Sequence, residues 1–198
     1  MTATRIGLYG GTFDPPHIGH LVVASEARYR LGLDEVLLLV ANDPWQKSGT
    51  RDVTPAPVRY EMVVAAAEGH PGIVASRLEI DRGGATYTAD TVDELVATHG
   101  PTVELVLIVG ADTAAGLQSW HRSEDLRSTI ALAVVARDGL AAVATPPGWR
   151  SEQLETPRID VSSSEVRRRC ATGEPVDALV APGVRSIIES RGLYDFRR

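Results

Sequence analysis

Arg5-Ile6-Gly7-Leu8-Tyr9 runs directly into Gly10-Gly11-Thr12-Phe13-Asp14-Pro15-Pro16-His17-Ile18-Gly19-His20, after which Leu21, Ala24, Ala27 and Leu31 recur at helical spacing. A short apolar run, a glycine-rich turn and a 3.6-residue period, in that order, predict a strand that turns into a crossover helix. Gly32 is placed to cap that helix, and Val36 to Val40 supplies the next strand. The unit is therefore strand, helix, strand, the building block of a parallel sheet.

The same alternation continues outward from this unit. A helix is expected near Pro57 to Glu68, a strand at Ile73 to Ile80 and a helix near Ala89 to Thr98. Strands follow at Val103 to Val109 and Ile130 to Ala136, with a short one around Arg158 to Val161. Runs that are apolar on both faces and separated by helices predict a Rossmann-like, doubly wound parallel sheet in a three-layer α/β/α arrangement. Ser162 and Glu165 have capping-box spacing ahead of a helix, Pro175 could open another, and Val184, Ile187, Ile188 and Arg191 describe a last one before Gly192. Asp138 to Arg150, with Pro146-Pro147-Gly148 inside it, reads as a surface loop.

At 198 residues and 43% hydrophobic content the chain can bury one core, and no repeat or low-complexity linker divides it. One domain over 1–198 is expected, with the C-terminal helical part, about 162–198, packed on it. The apolar runs are far shorter than the ~20 residues that span a bilayer, and no charged and apolar leader opens the chain, so no membrane association is expected. Cys170 is the single cysteine, which excludes an internal disulfide and a cysteine-built zinc site and fits a cytoplasmic protein. A formal charge of −6 argues against nucleic acid as a partner, because that affinity comes largely from Lys and Arg neutralising phosphates. The sequence leaves a homo-oligomer open.

The segment after the first strand carries the chemistry. Glycines let backbone amides approach a phosphate closely, and a helix N-terminus adds N–H groups and the positive dipole end. His17 and His20, three residues apart, project from one side of the first helical turn and could donate to phosphate oxygens. The spacing is not that of an H-E-x-x-H zinc site, and no Gly-Lys-Ser/Thr of a Walker A loop follows. Taken singly, one histidine could cap the helix and the other pack.

GGTFDPPHIGH resembles the GGTFDPxHxGH signature of the bacterial nicotinate-nucleotide adenylyltransferases, within the nucleotidyltransferase superfamily marked by HxGH. HxGH alone is shared with pantetheine-phosphate adenylyltransferases, cytidylyltransferases and class I aminoacyl-tRNA synthetases, so it identifies the superfamily and leaves the substrate open. Further segments narrow it. Val161-Ser162-Ser163-Ser164-Glu165-Val166-Arg167 is similar to the family's ISSTxIR motif, Val109-Gly110-Ala111-Asp112 to its G-A-D segment, and Ser119-Trp120-His121-Arg122 to its K/T-W-x-x element. Gly83 to Thr91 resembles G-x-S/T-Y-T-x-x-T. Asn42-Asp43-Pro44-Trp45-Gln46-Lys47 resembles N-x-P-P-H-K but departs from it at Trp45 and Gln46, and Ala136-Arg137-Asp138-Gly139 departs from the family's Arg-Pro-Gly.

The resemblance implies transfer of the adenylyl group of ATP to nicotinate mononucleotide, giving deamido-NAD and pyrophosphate. It implies catalytic roles for His17, His20 and Arg167, with both histidines facing the α- and β-phosphate charge. ATP would be bound by Gly10, Gly11, Thr12, Phe13, Gly19, Gly110, Asp112, Ser163 and Ser164. The mononucleotide would be bound by Asn42, Lys47, Thr86, Tyr87 and Trp120, with Thr86 recognising the nicotinate and the Trp120 indole stacking on its ring. Mg²⁺ would be held mainly by ATP phosphates and water, with no protein ligand named. Thr88 could in addition cap the helix that follows. The competing readings are another small-molecule nucleotidyltransferase, such as one acting on pantetheine phosphate, and a non-catalytic nucleotide-binding sensor.

Overall fold

The computed structural model describes residues 4–43, 53–137 and 147–197. Six strands, β1 (Arg5–Gly11), β2 (Glu35–Val40), β3 (Ile73–Ser76), β4 (Glu104–Gly110), β5 (Ala131–Arg137) and β6 (Ser151–Thr156), form one parallel sheet in the order β3-β2-β1-β4-β5-β6. Helices α1 (Ile18–Arg30), α2 (Ala56–Ala67), α3 (Leu78–Arg82), α4 (Thr88–His99), α5 (Ala111–Ala115), α6 (Ser123–Thr129), α7 (Ser163–Thr172) and α8 (Pro182–Ser190) flank it. This is the expected doubly wound α/β fold of Rossmann type. The chain winds outward from β1 to β3, then returns to the other side of β1 as β4, so the strand order reverses between β1 and β4.

The parallel arrangement follows from the strands' composition. Val36 to Val40 in β2 and Leu105 to Val109 in β4 are buried without alternation, as strands covered on both faces must be. β1 pairs with β4 in the register Ile6↔Leu105 and Leu8↔Leu107. Gly7 lies between them because nothing larger fits: a Cβ there would stand 2.8 Å from Leu33 Cδ1 and 3.0 Å from Val36 Cγ2. No helix among the described residues is long and apolar enough to cross a membrane.

The chain divides into two compact units, with β1, α1 and β2 each contributing to both. The first takes in residues 1–10, 23–37 and 87–158. Its core is made by Ile6, Leu8, Ala24, Ala27, Leu107, Ile108, Leu132, Val134 and their neighbours, all essentially inaccessible. The second takes in residues 11–22, 38–86 and 159–198. In it Leu21 of α1 and Met62 and Ala66 of α2 form one apolar cluster with Val166 and Cys170 of α7, Val176, Val180, and Val184 and Ile188 of α8.

Three local expectations are corrected. The run expected as one strand over Ile73 to Ile80 is a strand only to Ser76; Leu78 to Arg82 coils into α3, where Arg77 and Asp81 pair at i,i+4. The last strand is Ser151–Thr156 rather than Arg158 to Val161, with Leu154 and Thr156 turned inward and Pro157 following. Pro175 opens no helix; Pro182 does, at the first helical position that tolerates a missing N–H. Of the loop expected over Asp138 to Arg150, residues 138–146 lie outside the described residues. Residues 147–150 of it form no helix or strand; Trp149 is buried, and the Arg150 carbonyl accepts from Leu132 N at 2.8 Å just before β6.

Candidate active site

β1 does not end at Tyr9. It continues through Gly10 and Gly11, and the Gly11 carbonyl accepts from Ala41 N just past β2 at 3.1 Å. The turn begins at Thr12. A Cβ on Gly11 would fall 2.9 Å from Phe13 Cζ, so the second glycine is there because the chain folds the Phe13 ring back beneath it. Phe13, at φ +50°, is buried, and its ring meets the His20 ring edge-on at 5.0 Å.

The two histidines stack with ring centroids 3.7 Å apart and planes 26° from parallel. His20 Nδ1 accepts the His17 backbone N–H at 3.1 Å. That bond places the proton of the neutral ring on Nε2, leaving Nε2–H as its donor. His17 is 9% exposed, and burial pulls its pKa from 6.5 down to about 4. Its Nδ1 is buried without a hydrogen-bond partner and packs on Gly19, where a Cβ would be 3.1 Å away. The N-terminus of α1 is less open than its glycines suggest, since Ile18 N donates to the Leu179 carbonyl at 2.9 Å and His17 N is taken by His20.

The serine-arginine segment of α7 is tied to the same loop. Ser162 caps the helix by accepting from Glu165 N at 3.1 Å. The box is not reciprocal: hydrogen bonds from Arg168 and then Arg169 hold the Glu165 carboxylate and drop its pKa to about 2. Ser163 Oγ donates to the Pro15 carbonyl at 2.8 Å. Arg167 Nη1 donates to the Asp14 carbonyl at 2.7 Å and Nη2 to Ser164 Oγ at 3.0 Å, so two of its five donors aim the guanidinium at the loop. The Asp14 carboxylate, 1% exposed, accepts from the Tyr194 hydroxyl at 2.6 Å, and burial followed by this bond pushes the phenol pKa up.

Past β2, Asn42 N donates to Thr86 Oγ1 at 3.2 Å and Asn42 Nδ2 to the Gly84 carbonyl at 3.1 Å, while Asp43 bridges Ala85. These bonds hold the Gly83-to-Thr86 turn against the end of β2. Lys47, with Trp45 and Gln46, lies outside the described residues. Arg59 of α2 is 1% exposed and donates to three carbonyls: Nε to Thr54 at 2.7 Å, Nη1 to Thr12 at 2.7 Å and Nη2 to Asn42 at 3.1 Å.

In the first unit, Gly10 and Gly110 stand at the carboxyl ends of β1 and β4 with no heavy atom within 4 Å of where a Cβ would lie. Gly110 is the N-cap of α5, and Asp112 is exposed in its first turn. Trp120 is half-buried at the end of a short 3-10 turn, and beside it His121 packs on Tyr87 with ring centroids 4.6 Å apart. Arg122, in the left-handed region at φ +54°, pairs with Asp93 at 2.6 Å and Asp125 at 2.7 Å and so anchors this turn to α4 and α6. Tyr87, not Thr88, is the cap residue of α4, and no side chain caps it.

Residues 8–169 match the family model described as cytidylyltransferase-like. A probable nicotinate-nucleotide adenylyltransferase of Acidothermus cellulolyticus is 43% identical over 197 residues, covering 96% of this chain and 94% of that one. One of Exiguobacterium sibiricum is 41% identical over 190 residues, covering 96% and 98%. This chain belongs to the nicotinate-nucleotide adenylyltransferase family. Among solved structures, the Plasmodium falciparum nicotinic acid mononucleotide adenylyltransferase complexed with NaAD shares its fold, with a TM-score of 0.77 over 98% of both chains at 20% identity.

Two residues of this family member escaped the sequence reading. Arg59 had a signal: it falls on the face of α2 that carries Ala56, Met62, Val63 and Ala66, where a charge is out of place unless it is bonded. Tyr194 had none, because only the fold brings a residue 180 positions away to Asp14.

Proposed function

We propose that this chain joins the 5′-phosphate of nicotinate mononucleotide to the adenylyl group of ATP. A phosphate oxygen of the mononucleotide attacks the α-phosphorus in line, the bond from that phosphorus to the β-bridging oxygen breaks, and pyrophosphate leaves with the electron pair. The attacking oxygen is already anionic, so no general base is required, and positioning and charge stabilisation carry the rate. The observation that carries this reading is identity above 40% over nearly the whole of relatives bearing that name.

The different surroundings of the two histidines support different roles for them. His20 offers Nε2–H to a phosphate oxygen, and its orientation is set by the His17 amide. His17, held neutral by burial, serves as the stacking partner of that ring and as an uncharged donor, so positive charge comes from Arg167 at the β/γ end. Ser163 and Ser164 act there mainly by ordering the loop and the guanidinium. Gly10, Gly11, Thr12, Phe13 and Gly19 shape the phosphate seat, Gly110 and Asp112 face the adenosine, and Asn42, Thr86, Tyr87 and Trp120 hold the mononucleotide.

Mg²⁺ in this reading is held mainly by the ATP phosphates and water. When bound, it would offset part of the triphosphate charge. Pyrophosphate release with ATP against nicotinate mononucleotide, nicotinamide mononucleotide and phosphopantetheine tests the reading. Turnover with the first is expected. Turnover with phosphopantetheine alone, or tight ATP binding with no turnover on any of the three, overturns it.

A further inference from the structure

We propose that Arg59 is a positioning residue that sets the ends of β1 and β2 in the geometry the reaction needs, an inference that rests on the adenylyl-transfer reading above. α2 buries this guanidinium on its apolar face, at a place where an aliphatic side chain would cost nothing in desolvation. What it gains there is three carbonyls from three separate segments, 5, 17 and 47 residues away.

Two of those carbonyls have particular addresses. Thr12 is the first residue beyond β1, Asn42 is the second beyond β2, and the Ala41 N to Gly11 carbonyl bond is the rung just before them. Beyond that rung the sheet no longer holds the two chains in register; the Arg59 fork does. Thr12 leads directly to Phe13, whose ring contacts His20. Asn42 passes its amide to Thr86 and its side chain to Gly84. One rigid fork therefore sits one residue from the ring packed edge-on against His20 and one hydrogen bond from Thr86, the proposed nicotinate-side threonine. The guanidinium reaches the three carbonyls from three separate nitrogens held in a fixed plane, whereas a lysine would have to gather all three around one nitrogen.

The test compares Arg59→Lys and Arg59→Met with Val184→Ala, a core truncation in α8 that loosens the same unit without touching these loops. Kinetics are normalised to the folded fraction. Both Arg59 variants should lose about tenfold or more in kcat/KM, with KM for nicotinate mononucleotide raised, as misplaced reactants require; Val184→Ala should stay within about twofold of the native protein while its Tm falls. Hydrogen exchange over residues 11–16 and 41–43 should quicken in Arg59→Lys and not in Val184→Ala. Native kinetics and exchange in Arg59→Lys overturn the proposal, as does an equal loss of kcat/KM in Val184→Ala. If Arg59→Met does not fold, Arg59→Lys decides. If the native protein releases no pyrophosphate, the functional reading has failed, and hydrogen exchange alone judges the role of Arg59.

Discussion

His20 and His17 look equivalent as letters, and their surroundings make them different groups. His20 receives a backbone N–H on one nitrogen and so presents the other as a donor; His17 is buried and stays uncharged at neutral pH. In the role proposed for it His20 donates to developing charge, so in a folded His20→Ala protein turnover should fall by ~10²-fold. Near-native turnover in steady-state pyrophosphate release would show that the ring does not face the reacting phosphate. On the other substrate, the stacking role proposed for Trp120 predicts that Trp120→Ala raises KM for nicotinate mononucleotide with little change for ATP. The opposite pattern would put Trp120 in the adenosine subsite.

At the scale of elements, the chain spends many of the groups that a phosphate might use. The His17 N–H just before α1 goes to His20 and the first N–H of α1, on Ile18, to Leu179, while the Ser162 hydroxyl caps α7 and the Ser163 hydroxyl bonds the Pro15 carbonyl. The consequence is a loop pinned from both sides. Ser162→Ala should cost about 1 kcal/mol of stability, the usual worth of an N-cap, and lower Tm by roughly 2–4 °C in a chain of this size. Because Ser163 opens the first turn of α7 and Arg167 follows one turn later, ATP binding should weaken in the same variant if they hold the proposed phosphate end. Thermal unfolding together with ATP titration checks both, and unchanged Tm would mean that the Glu165 N–H finds another acceptor. The α3 segment shows the limit of pattern reading at this scale: Ile73 to Ile80 is apolar enough for one strand, but β3 is an edge and Arg77 and Asp81 close a helical turn instead.

For the molecule as a whole, the buried imidazole links folding to pH. His17 titrates near 4 when folded and near 6.5 when unfolded, so between these values the unfolded chain binds more protons and stability rises with pH. The contribution is complete above pH 6.5 and is lost as pH falls toward 4. Glu165 and Glu174, held near 2 by Arg168 first of all, lose theirs only below about 4.5, so the two windows overlap only between pH 4 and 4.5. Urea unfolding at pH 4.5 and pH 7 should show the native protein losing about 2 kcal/mol more than His17→Gln over this interval. Parallel behaviour of the two proteins would mean that His17 is hydrated and charged in the folded state.

Strand periodicity, glycine placement and the cap signals are local properties, and Arg5 to Val40, the helices near 57–68 and 89–98, and the Ser162 cap could be read from them directly. The histidine pair was legible for the same reason, since its spacing alone puts both rings on one turn. Long-range facts were not. Which histidine is buried, what Ser163 of α7 bonds, why an arginine lies on the apolar face of α2 and what holds the Asp14 carboxylate depend on partners up to 180 residues away. A sequence determines the local pattern because each residue's own geometry sets it; protonation, burial and hydrogen-bond choice belong to the tertiary structure because they are set by whatever the fold brings alongside.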